Sequence, residues 1–583
     1  LEVGKPGEAN ALARHMSRYT SLVRFRLRAN QTEQEKQKLR DSLAAYKRIV
    51  VAVSEQRLGA YQPFFAKFVP KSPTIYLFFT PGKMMLQIQR AVSRASAVIL
   101  GHSHNSDVQR QVADILYAKA TADGRLSASI GGLFPTGAGV TITPRTPLHF
   151  IPEEHGLSSV LLKKIDAIVL DGIQQGAYPG CQIVVLRNGH IMYDKAFGTY
   201  AGKGSPRVES TDIYDLASLS KTTGTLLAIM KLYDKGRFSL TDKISDYLLF
   251  LQRTDKKDIT IQEILFHQSG LPSWIPFYQE VIDKDSYDGR LFSARRDAKH
   301  PLRIGTTTWA NPDFKFKKEY ISSVGTGDYT VQICDSIWLN RSFRKVIEEK
   351  IAETPLRQKR YVYSDIGFIL LGMLVEQLAE MPMEAYLQRE FYGPMGLDRT
   401  GYLPLRRFAK SEIVPSNKDR FLRKETLQGF VHDEASAFFG GLGGNAGLFS
   451  TAREVARIYQ MLLNGACGMT LAFVVDNRME RYLSKETCQL FTTEVSKISR
   501  RGLGFDKPDM TDSKKGNCAP GVPAEVYGHT GFTGTCAWVD PVNELVYVFL
   551  SNRVYPDATN RKLNQLHIRE RIQEAIYDAM KKK

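Results

Sequence analysis

The sequence predicts an α/β unit followed by an α+β domain in which an antiparallel sheet is flanked by helices. Apolar, strand-like runs alternate with helical stretches before residue 142, which is typical of an open α/β unit. A proline-containing stretch, Thr143–Pro152, interrupts this alternation, and hairpin signals lie near both ends of the chain beyond it. We therefore place an α/β sandwich at residues 1–142, a linker at 143–155 and the α+β domain at 156–583.

The N-terminal unit begins with a charged stretch, residues 1 to about 45, that we predict to be helical. The runs Ile49–Val53, Ile75–Phe79 and Ala97–Leu100 are continuously apolar, as expected of parallel strands that are buried on both faces. A helical stretch, Val108–Tyr117, follows them. The alternation predicts a small doubly wound unit.

The second domain carries hairpin signals at both ends. A predicted helix, Ser158–Gln175, precedes two apolar runs that are separated by Asn188-Gly189, a strong hairpin signal. A second hairpin is predicted over Cys536–Leu550, and a helix over about Leu566–Met580 closes the chain. We therefore expect a sheet assembled from both ends of the domain.

Composition narrows the classes of function. The net charge of +18 is spread along the chain without a zinc-finger spacing or a concentrated basic helix, so we expect no nucleic-acid partner. No stretch approaches the ~18 apolar residues of a membrane span.

The six cysteines form no C-x-x-C pair and no His cluster accompanies them, so we expect no metal site and no cofactor. The opening on Leu1 without a leader favours a piece of a longer protein over removal of a signal.

A serine and a lysine three residues apart open the catalytic hypothesis. In Asp215–Gly224, Ser218 precedes Lys221 at the start of an amphipathic helix. Residues i and i+3 share a helix face, so a buried lysine with a depressed pKa would help to activate the serine hydroxyl. Alone, the pattern equally fits an N-cap serine with a solvated lysine, and the copy at Ser342–Lys345 lies in a basic run.

Further motifs decide between these alternatives. Tyr363-Ser364-Asp365 lies just before an apolar helix. The glycine-rich run His529-Thr530-Gly531-Phe532 precedes the second hairpin, and the segments Glu263–Leu271 and Gly443–Ala452 complete the set.

In this order the motifs resemble the serine β-lactamase and penicillin-binding-protein superfamily, most of all its class C-like branch of esterases and DD-peptidases. The resemblance covers about residues 155–583. It implies that Ser218 is the acylated nucleophile and that Lys221 and Tyr363 share the proton transfers. It also implies an oxyanion hole formed by the backbone N–H groups of Ser218 and Phe532.

The substrate-binding residues implied by the resemblance are Asp365, His529, Thr530 and Gly531, and two of them depart from the usual pattern. Asp365 stands where relatives often have asparagine, so it would attract a cation or pair with Lys221. His529 replaces a lysine, so a permanent charge gives way to one that we expect to titrate near neutrality. Both changes weaken recognition of a substrate carboxylate and favour esterase or D-amino-acid amidase and peptidase activity over β-lactamase activity.

Two further histidines border these motifs. His267 is expected to hydrogen-bond a turn, and His432 lies in a loop that borders the pocket in relatives and is a candidate substrate contact. The segments 274–360 and 466–485 look like insertions around the pocket, where loops usually set substrate choice.

The N-terminal unit, over residues 45–143, resembles the C-terminal α/β sandwich domain of family 3 glycoside hydrolases through Gly124-Arg125-Leu126 and the exit at Phe134–Gly139. His102 and His104 follow one of its strands and are expected to be surface loop residues.

The resemblances together predict a serine hydrolase acting on a small-molecule or peptide substrate, including peptidoglycan fragments, outside the cytoplasmic membrane in the periplasm or cell envelope. The alternatives are a true class C-like β-lactamase, a non-catalytic cell-wall-binding module, and an accessory part of a β-N-acetylhexosaminidase. The sequence does not indicate an oligomeric state.

Overall fold

The computed structural model describes residues 1–5, 7–8, 10–17, 22–117, 120–142, 152–465, 474–475, 478–479, 481–512 and 516–580. The chain falls into two compact units: the first comprises residues 1–148 and 469–480, and the second comprises residues 149–468 and 481–583. The predicted linker lies outside the described residues up to position 151, and Pro152–His155 forms a short 3₁₀ helix. Residues 466–473, 476–477 and 480 of the predicted insertion at 466–485 also lie outside the described residues.

The first unit is built on a five-stranded parallel sheet. Its strands lie in the order Arg26–Leu27, Glu2–Val3, Ile49–Val53, Thr74–Phe78 and Ala97–Leu100. The three predicted strands are confirmed. The first two strands fall in the stretch predicted to be wholly helical, so that part of the prediction is wrong. A two-residue strand has too short a pattern to be detected, and it forms here because pairing satisfies its backbone groups.

Helices cover both faces of this N-terminal sheet. On one face the buried strand residues Val51, Val53 and Phe78 pack with Leu39 and Phe64. The intervening strand residues point into a second apolar cluster on the other face. The helices of this unit are Asn10–Met16, Glu33–Ala44, Gln62–Lys67, Gln89–Val92 and Ser106–Leu116.

The second unit contains an antiparallel five-stranded sheet, called the main sheet below. Its order is Tyr527–Thr530, Cys536–Asp540, Leu545–Ser551, Gly180–Arg187 and His190–Gly198. The last three of these strands pair residues from opposite ends of the domain. The prediction of a sheet assembled from both ends is therefore confirmed, and the Asn188-Gly189 turn closes its last hairpin with positive φ at both residues.

Alternation along the strands places helices on both faces of the main sheet. Val184 and Val548 face the large core that holds Leu226–Asp234, Asp365–Ala379 and Ala452–Leu463. The intervening residues of the same strands face the terminal helices Lys164–Gln174 and Ile568–Met580. The remaining helices are Ser159–Leu162, Ile261–Leu265, Phe343–Glu353, Met383–Leu387, Gly393–Met395, Glu434–Phe438, Lys485–Thr493 and Lys562–Gln565.

Short strands form small sheets around this core. Several of these strands lie in the predicted insertion at 274–360, where the 3₁₀ helix Phe277–Val281 packs on the helix Glu434–Phe438. The short strands of this unit are Tyr214–Asp215, Ile282–Asp283, Phe292–Ser293, Leu302–Arg303, Trp309–Ala310, Lys315–Phe316, Ile321–Ser322, Val331–Cys334, Ile337–Leu339, Gly401–Tyr402, Asn417–Lys418, Thr426–Leu427 and Leu448–Ser450. Two further short strands, Val474–Val475 and Arg478–Met479, pair with each other and belong to the first unit.

None of the described helices is by itself long and apolar enough to span a membrane. One pair of helices, Asp365–Ala379 and Met383–Met395, reaches that length and apolarity only when the two are taken together across a bend of 71°.

Candidate active site

Ser218 lies in a tight turn at the edge of the large core. The 3₁₀ helix Ala217–Leu219 carries it, and Ala217 adopts a φ of +48°, a left-handed conformation that is costly for a residue with a side chain. Asp215 stabilises this turn, because its buried Oδ1 accepts the Ala217 N–H at 2.9 Å. Burial raises the pKa of the Asp215 carboxyl to about 6. Ser218 itself is partly exposed, which is compatible with the nucleophilic role predicted for it.

Lys221 is fully buried and donates to three oxygen atoms. Its Nζ lies 3.0 Å from Ser218 Oγ, 2.6 Å from Asp365 Oδ1 and 2.8 Å from the Asn445 carbonyl. Burial alone would lower the pKa of this ammonium, but Asp365 and Tyr363 outweigh burial and raise the pKa above its usual value. The expectation of a depressed lysine pKa is therefore wrong, and Lys221 is a cation at neutral pH.

Asp365 begins the helix Asp365–Ala379, and Ser364 caps that helix by accepting the Gly367 N–H. Of the two alternatives for Asp365, pairing with Lys221 is the one that the structure contains. The carboxylate thus matches the charge of the buried ammonium.

Tyr363 lies among aromatic rings and cations. Its ring centroid is 4.7 Å from that of His267 and 5.9 Å from that of His529, while Lys221 Nζ and Arg501 Cζ lie 5.3 and 5.1 Å away. The hydroxyl is buried without a well-formed hydrogen bond. Burial raises the pKa of Tyr363, and the nearby Lys221 ammonium opposes that rise. Tyr363 is therefore a neutral phenol at neutral pH in the resting protein.

His267 holds the segment that carries Tyr363. Its Nδ1 accepts the Ser364 N–H at 3.0 Å, and its carbonyl accepts the Val362 N–H at 2.9 Å. Burial lowers the pKa of His267 well below its usual value, so the ring is neutral. These contacts agree with the expected structural role.

His529 lies on the edge strand of the main sheet and is 2% exposed. Its Nδ1 donates to the Thr530 carbonyl at 2.6 Å, and Nε2 is buried without a partner. Burial, followed by the charges of Arg501 and Lys221, lowers the pKa of His529 to about 3. The expectation that it titrates near neutrality is wrong because the sequence does not reveal this burial. The accessible part of the motif is the partly exposed Thr530.

Gly531 brings the edge strand against the turn that carries Ser218. A Cβ at this position would lie 2.1 Å from Thr535 Oγ1 and 2.5 Å from the Leu216 carbonyl, so only glycine fits. Thr535 and Thr533 donate to the carbonyls of Leu216 and Asp215 at 2.9 and 2.8 Å. These contacts fix the position of the loop containing Phe532 beside Ser218.

The two backbone groups predicted to form the oxyanion hole are both available. Within the described part of the chain, no protein atom accepts the N–H of Ser218 or of Phe532. The Phe532 side chain is 55% exposed and its ring stacks on His432 at 5.3 Å and 7°. The His432 N–H donates to Asp215 Oδ2 at 2.7 Å, so His432 does border the Ser218 loop.

Comparison with known proteins decides the family. The sequence profile of the Beta-lactamase family matches residues 165–570. The chain belongs to the β-lactamase family. This membership makes it a serine hydrolase and confirms the predicted β-lactamase/transpeptidase-like fold of the second unit.

Individual relatives of this β-lactamase-family chain bear several names. A Salmonella typhi protein named "Putative D-alanyl-D-alanine carboxypeptidase" is 28% identical over 445 residues, covering 71% of this chain and 87% of that protein. The structure of "EstCE1, a hydrolase with promiscuous acyltransferase activity" has a TM-score of 0.48 and 17% identity, covering 72% and 98%. A penicillin-binding protein homologue from Caulobacter crescentus has a TM-score of 0.47 and 15% identity, covering 73% and 99%.

Three contributors to this β-lactamase-family site were missed by the sequence reasoning. Asn445 acts through its carbonyl, Asp215 through backbone N–H groups, and Arg501 through ring packing on Tyr363. Backbone acceptors carry no residue-type signal, and Arg501 is one of many basic residues. For Asn445, the available sequence signal was the glycine pair that precedes it, because Gly444 closely approaches Gly372 of the helix Asp365–Ala379.

Proposed function

We propose that the protein hydrolyses esters, or D-amino-acid amides and peptides of the cell-wall type, through an acyl-enzyme on Ser218. The observation that carries this proposal is the Lys221 Nζ to Ser218 Oγ distance of 3.0 Å, in a lysine whose other two contacts hold it in place. A binding module would have no use for a buried ammonium directed at a serine hydroxyl.

In the proposed acylation step, Tyr363 first loses its phenol proton to solvent, and the phenolate then takes the proton of Ser218 Oγ as that oxygen attacks the substrate carbonyl. Tyr363 then returns the proton to the leaving group. Water attacks the acyl-enzyme, again losing a proton to Tyr363, and Ser218 is regenerated as a hydroxyl. Lys221, as a cation, stabilises the developing negative charge on Oγ instead of accepting its proton, which revises the role that the sequence implied.

The backbone N–H groups of Ser218 and Phe532 would bind the oxyanion of the tetrahedral intermediate. Both donors lack an acceptor in the described chain, and preorganised donors of this kind are worth about 10² to 10³ in rate. Thr530 and Gly531 would align the substrate along the edge strand. Asp365 would act on the substrate indirectly, by fixing Lys221.

The charges near the pocket support a preference against β-lactams. Asp365 matches the Lys221 charge at 2.6 Å, and His529 is neutral, so neither offers a free cation to a substrate carboxylate. The names of the Salmonella relatives support D-amino-acid peptides within the same mechanism. A true class C-like β-lactamase is the second candidate, favoured by the family match alone.

A cell-wall substrate would place the protein in the periplasm or cell envelope. The resemblance of the N-terminal parallel-stranded unit to the C-terminal sandwich of family 3 glycoside hydrolases supports this location by analogy only. We do not expect hydrolysis of an aryl N-acetylglucosaminide by this chain, and turnover of that substrate would favour the hexosaminidase alternative.

A fluorophosphonate probe with intact-mass analysis tests the nucleophile. We expect one adduct on the parent protein and none on Ser218→Ala, with Ser342→Ala labelled like the parent as the control for the second Ser-x-x-Lys copy. No adduct on the parent would favour the non-catalytic binding module, and an adduct on Ser218→Ala would refute Ser218 as the nucleophile.

Rates on a p-nitrophenyl ester, a D-amino-acid anilide and nitrocefin test the substrate class. We expect the ester or the anilide to have the highest kcat/KM. Nitrocefin as the best substrate would contradict the argument from Asp365 and His529.

A further inference from the structure

Arg501 lies against the Tyr363 ring and has no role in the chemistry described above. Its side chain is 6% exposed, and its Cζ is 5.1 Å from the Tyr363 ring centroid. Nε donates to the Tyr361 hydroxyl at 3.1 Å, while Nη1 is buried and has no hydrogen-bond partner among the described residues. A buried guanidinium with an unused donor is costly unless its charge is used nearby.

The charges around Tyr363 show where that cation acts. The described groups that face the ring are Lys221, Asp365, His267, His529 and Arg501. The lysine ammonium is matched by its carboxylate partner at 2.6 Å, and both histidines are neutral because they are buried.

One further carboxylate, Asp506, lies behind Arg501. It is 3.6 Å from Arg501 Nε and is shared with Arg500 at 2.9 Å. One carboxylate thus faces two guanidinium groups, so the pair retains a net positive charge. Of the groups facing Tyr363 in the described chain, Arg501 supplies the positive charge that is not matched by a carboxylate of its own.

We propose that Arg501 is a positioning residue that favours the phenolate of Tyr363 against the effect of burial, so that the tyrosine accepts the Ser218 proton at a lower pH than it would without this guanidinium. The inference rests on the proposed function, in which Tyr363 is the base. A cation within ~4–6 Å of an acid favours its charged form by about one to three pKa units, and low-dielectric surroundings strengthen the effect. The hydrogen bond to the Tyr361 hydroxyl holds the Arg501 guanidinium in its place against the Tyr363 ring.

The pH dependence of kcat/KM on an activated ester tests this role. In Arg501→Gln we expect the acid limb to move up by about one pH unit or more, with kcat/KM about tenfold lower below that limb and recovering at high pH. Arg501→Lys keeps the charge and should keep the acid limb within about half a unit. Arg40→Gln is the matched control, because Arg40 is also buried with its Cζ 5.4 Å from an aromatic ring centroid, that of Phe64, but lies in the N-terminal unit, and the acid limb of this variant should stay unchanged.

Direct titration of the phenolate by ultraviolet difference absorbance, with each Tyr363→Phe counterpart subtracted, should show the same shift. If Arg501→Gln does not fold, the neutral variant Arg501→Met takes its place and should show the same upward shift of the acid limb. A uniform loss of kcat/KM at every pH in the neutral variant, with the limb unmoved, overturns the proposal.

An unshifted limb in folded Arg501→Gln would also overturn it. Activity remaining in Ser218→Ala would instead refute the proposed function. Loss of activity in Ser218→Ala with no shift in Arg501→Gln would refute this inference alone.

Discussion

The two sides of the Ser218 hydroxyl differ in how their polar atoms are satisfied. On one side, Lys221 donates to Ser218, Asp365 and the Asn445 carbonyl, so each of its three protons has an acceptor. On the other side, four buried polar atoms make no hydrogen bond of good geometry to any described residue: Tyr363 Oη, His267 Nε2, His529 Nε2 and Arg501 Nη1. The first side is a fixed, ion-paired framework, and the second is an unsatisfied one.

This difference indicates how the site divides its tasks. Buried polar groups are normally hydrogen-bonded, so a cluster of exceptions requires an explanation, and proton transfer is a reason to leave a group without a permanent partner. Lys221 cannot easily change its protonation state because Asp365 fixes it. Tyr363 can change state, since no hydrogen bond commits its hydroxyl. The predictions below disturb each side in turn.

Removal of the Lys221 ammonium should have the largest effect. In Lys221→Met, Asp365 loses its partner and the Asn445 carbonyl its donor, so we expect the free energy of unfolding to fall by about 3 kcal/mol. The rate of ester hydrolysis should fall by about 10³-fold or more. Urea unfolding followed by tryptophan fluorescence measures the first effect, since all four tryptophans lie in the second unit.

Lys256→Met is the matched control for this prediction. Lys256 is also buried, with Asp255 at 2.6 Å and the Ala352 carbonyl at 3.1 Å, but it lies outside the site. We expect lost stability with unchanged activity per folded molecule. The double variant Lys221→Met/Asp365→Asn should regain part of the stability and none of the activity, and an active double variant would show that the ion pair is only structural.

Gly531→Ala should disturb the contact between the edge strand of the main sheet and the turn that carries Ser218. The new Cβ would displace Thr535 or the Leu216 carbonyl, and with them the Phe532 N–H. We expect kcat to fall about 10²-fold, because a displacement near 1 Å in the site has that effect, with a stability loss of about 1 to 3 kcal/mol.

The control for Gly531→Ala is Gly59→Ala in the N-terminal unit, where a Cβ meets nothing within 4 Å. A Gly531→Ala variant with the parent's kcat would contradict the proposed oxyanion hole, since Phe532 could then move without cost.

The sequence predicted which residues meet better than it predicted their charge states. Motif spacing, a property of the chain, placed Ser218, Lys221 and Tyr363 in one candidate site, and the structure brings these three side chains together. The protonation states were mispredicted for Lys221 and His529, because both depend on burial and on partners distant in sequence. Asp365, 144 positions after Lys221, decides the lysine charge.

In the fold, too, features with strong local sequence patterns were predicted, and features that depend on long-range contacts were not. The Asn188-Gly189 hairpin and the strand Ile49–Val53 have strong local patterns and were predicted. The strands Glu2–Val3 and Arg26–Leu27 have none, because pairing with neighbouring strands rather than local preference forms them. Arg501 was not recognised for a similar reason, since only the folded chain places it 5.1 Å from Tyr363.

Replacement of His529 should have the smallest effect, and it tests whether the His529 ring is neutral in the folded protein. The pKa of His529 is about 3 in the folded protein, against about 6.5 in an unfolded chain. Between these values the unfolded chain binds a proton that the folded protein does not, so the stability contributed by the neutral ring is full above pH ~6.5 and is lost as pH falls toward 3.

The variant His529→Asn keeps a donor for the Thr530 carbonyl and removes the titrating group. From about pH 6.5 to about pH 5, the parent should lose about 1.5 kcal/mol more unfolding free energy than the variant does. His104→Asn, at an exposed position, should follow the parent. A His529→Asn curve parallel to the parent's would mean that the folded protein already carries a charged His529. The Tyr363 phenolate would then have a second cation beside it, and the role proposed for Arg501 would be shared.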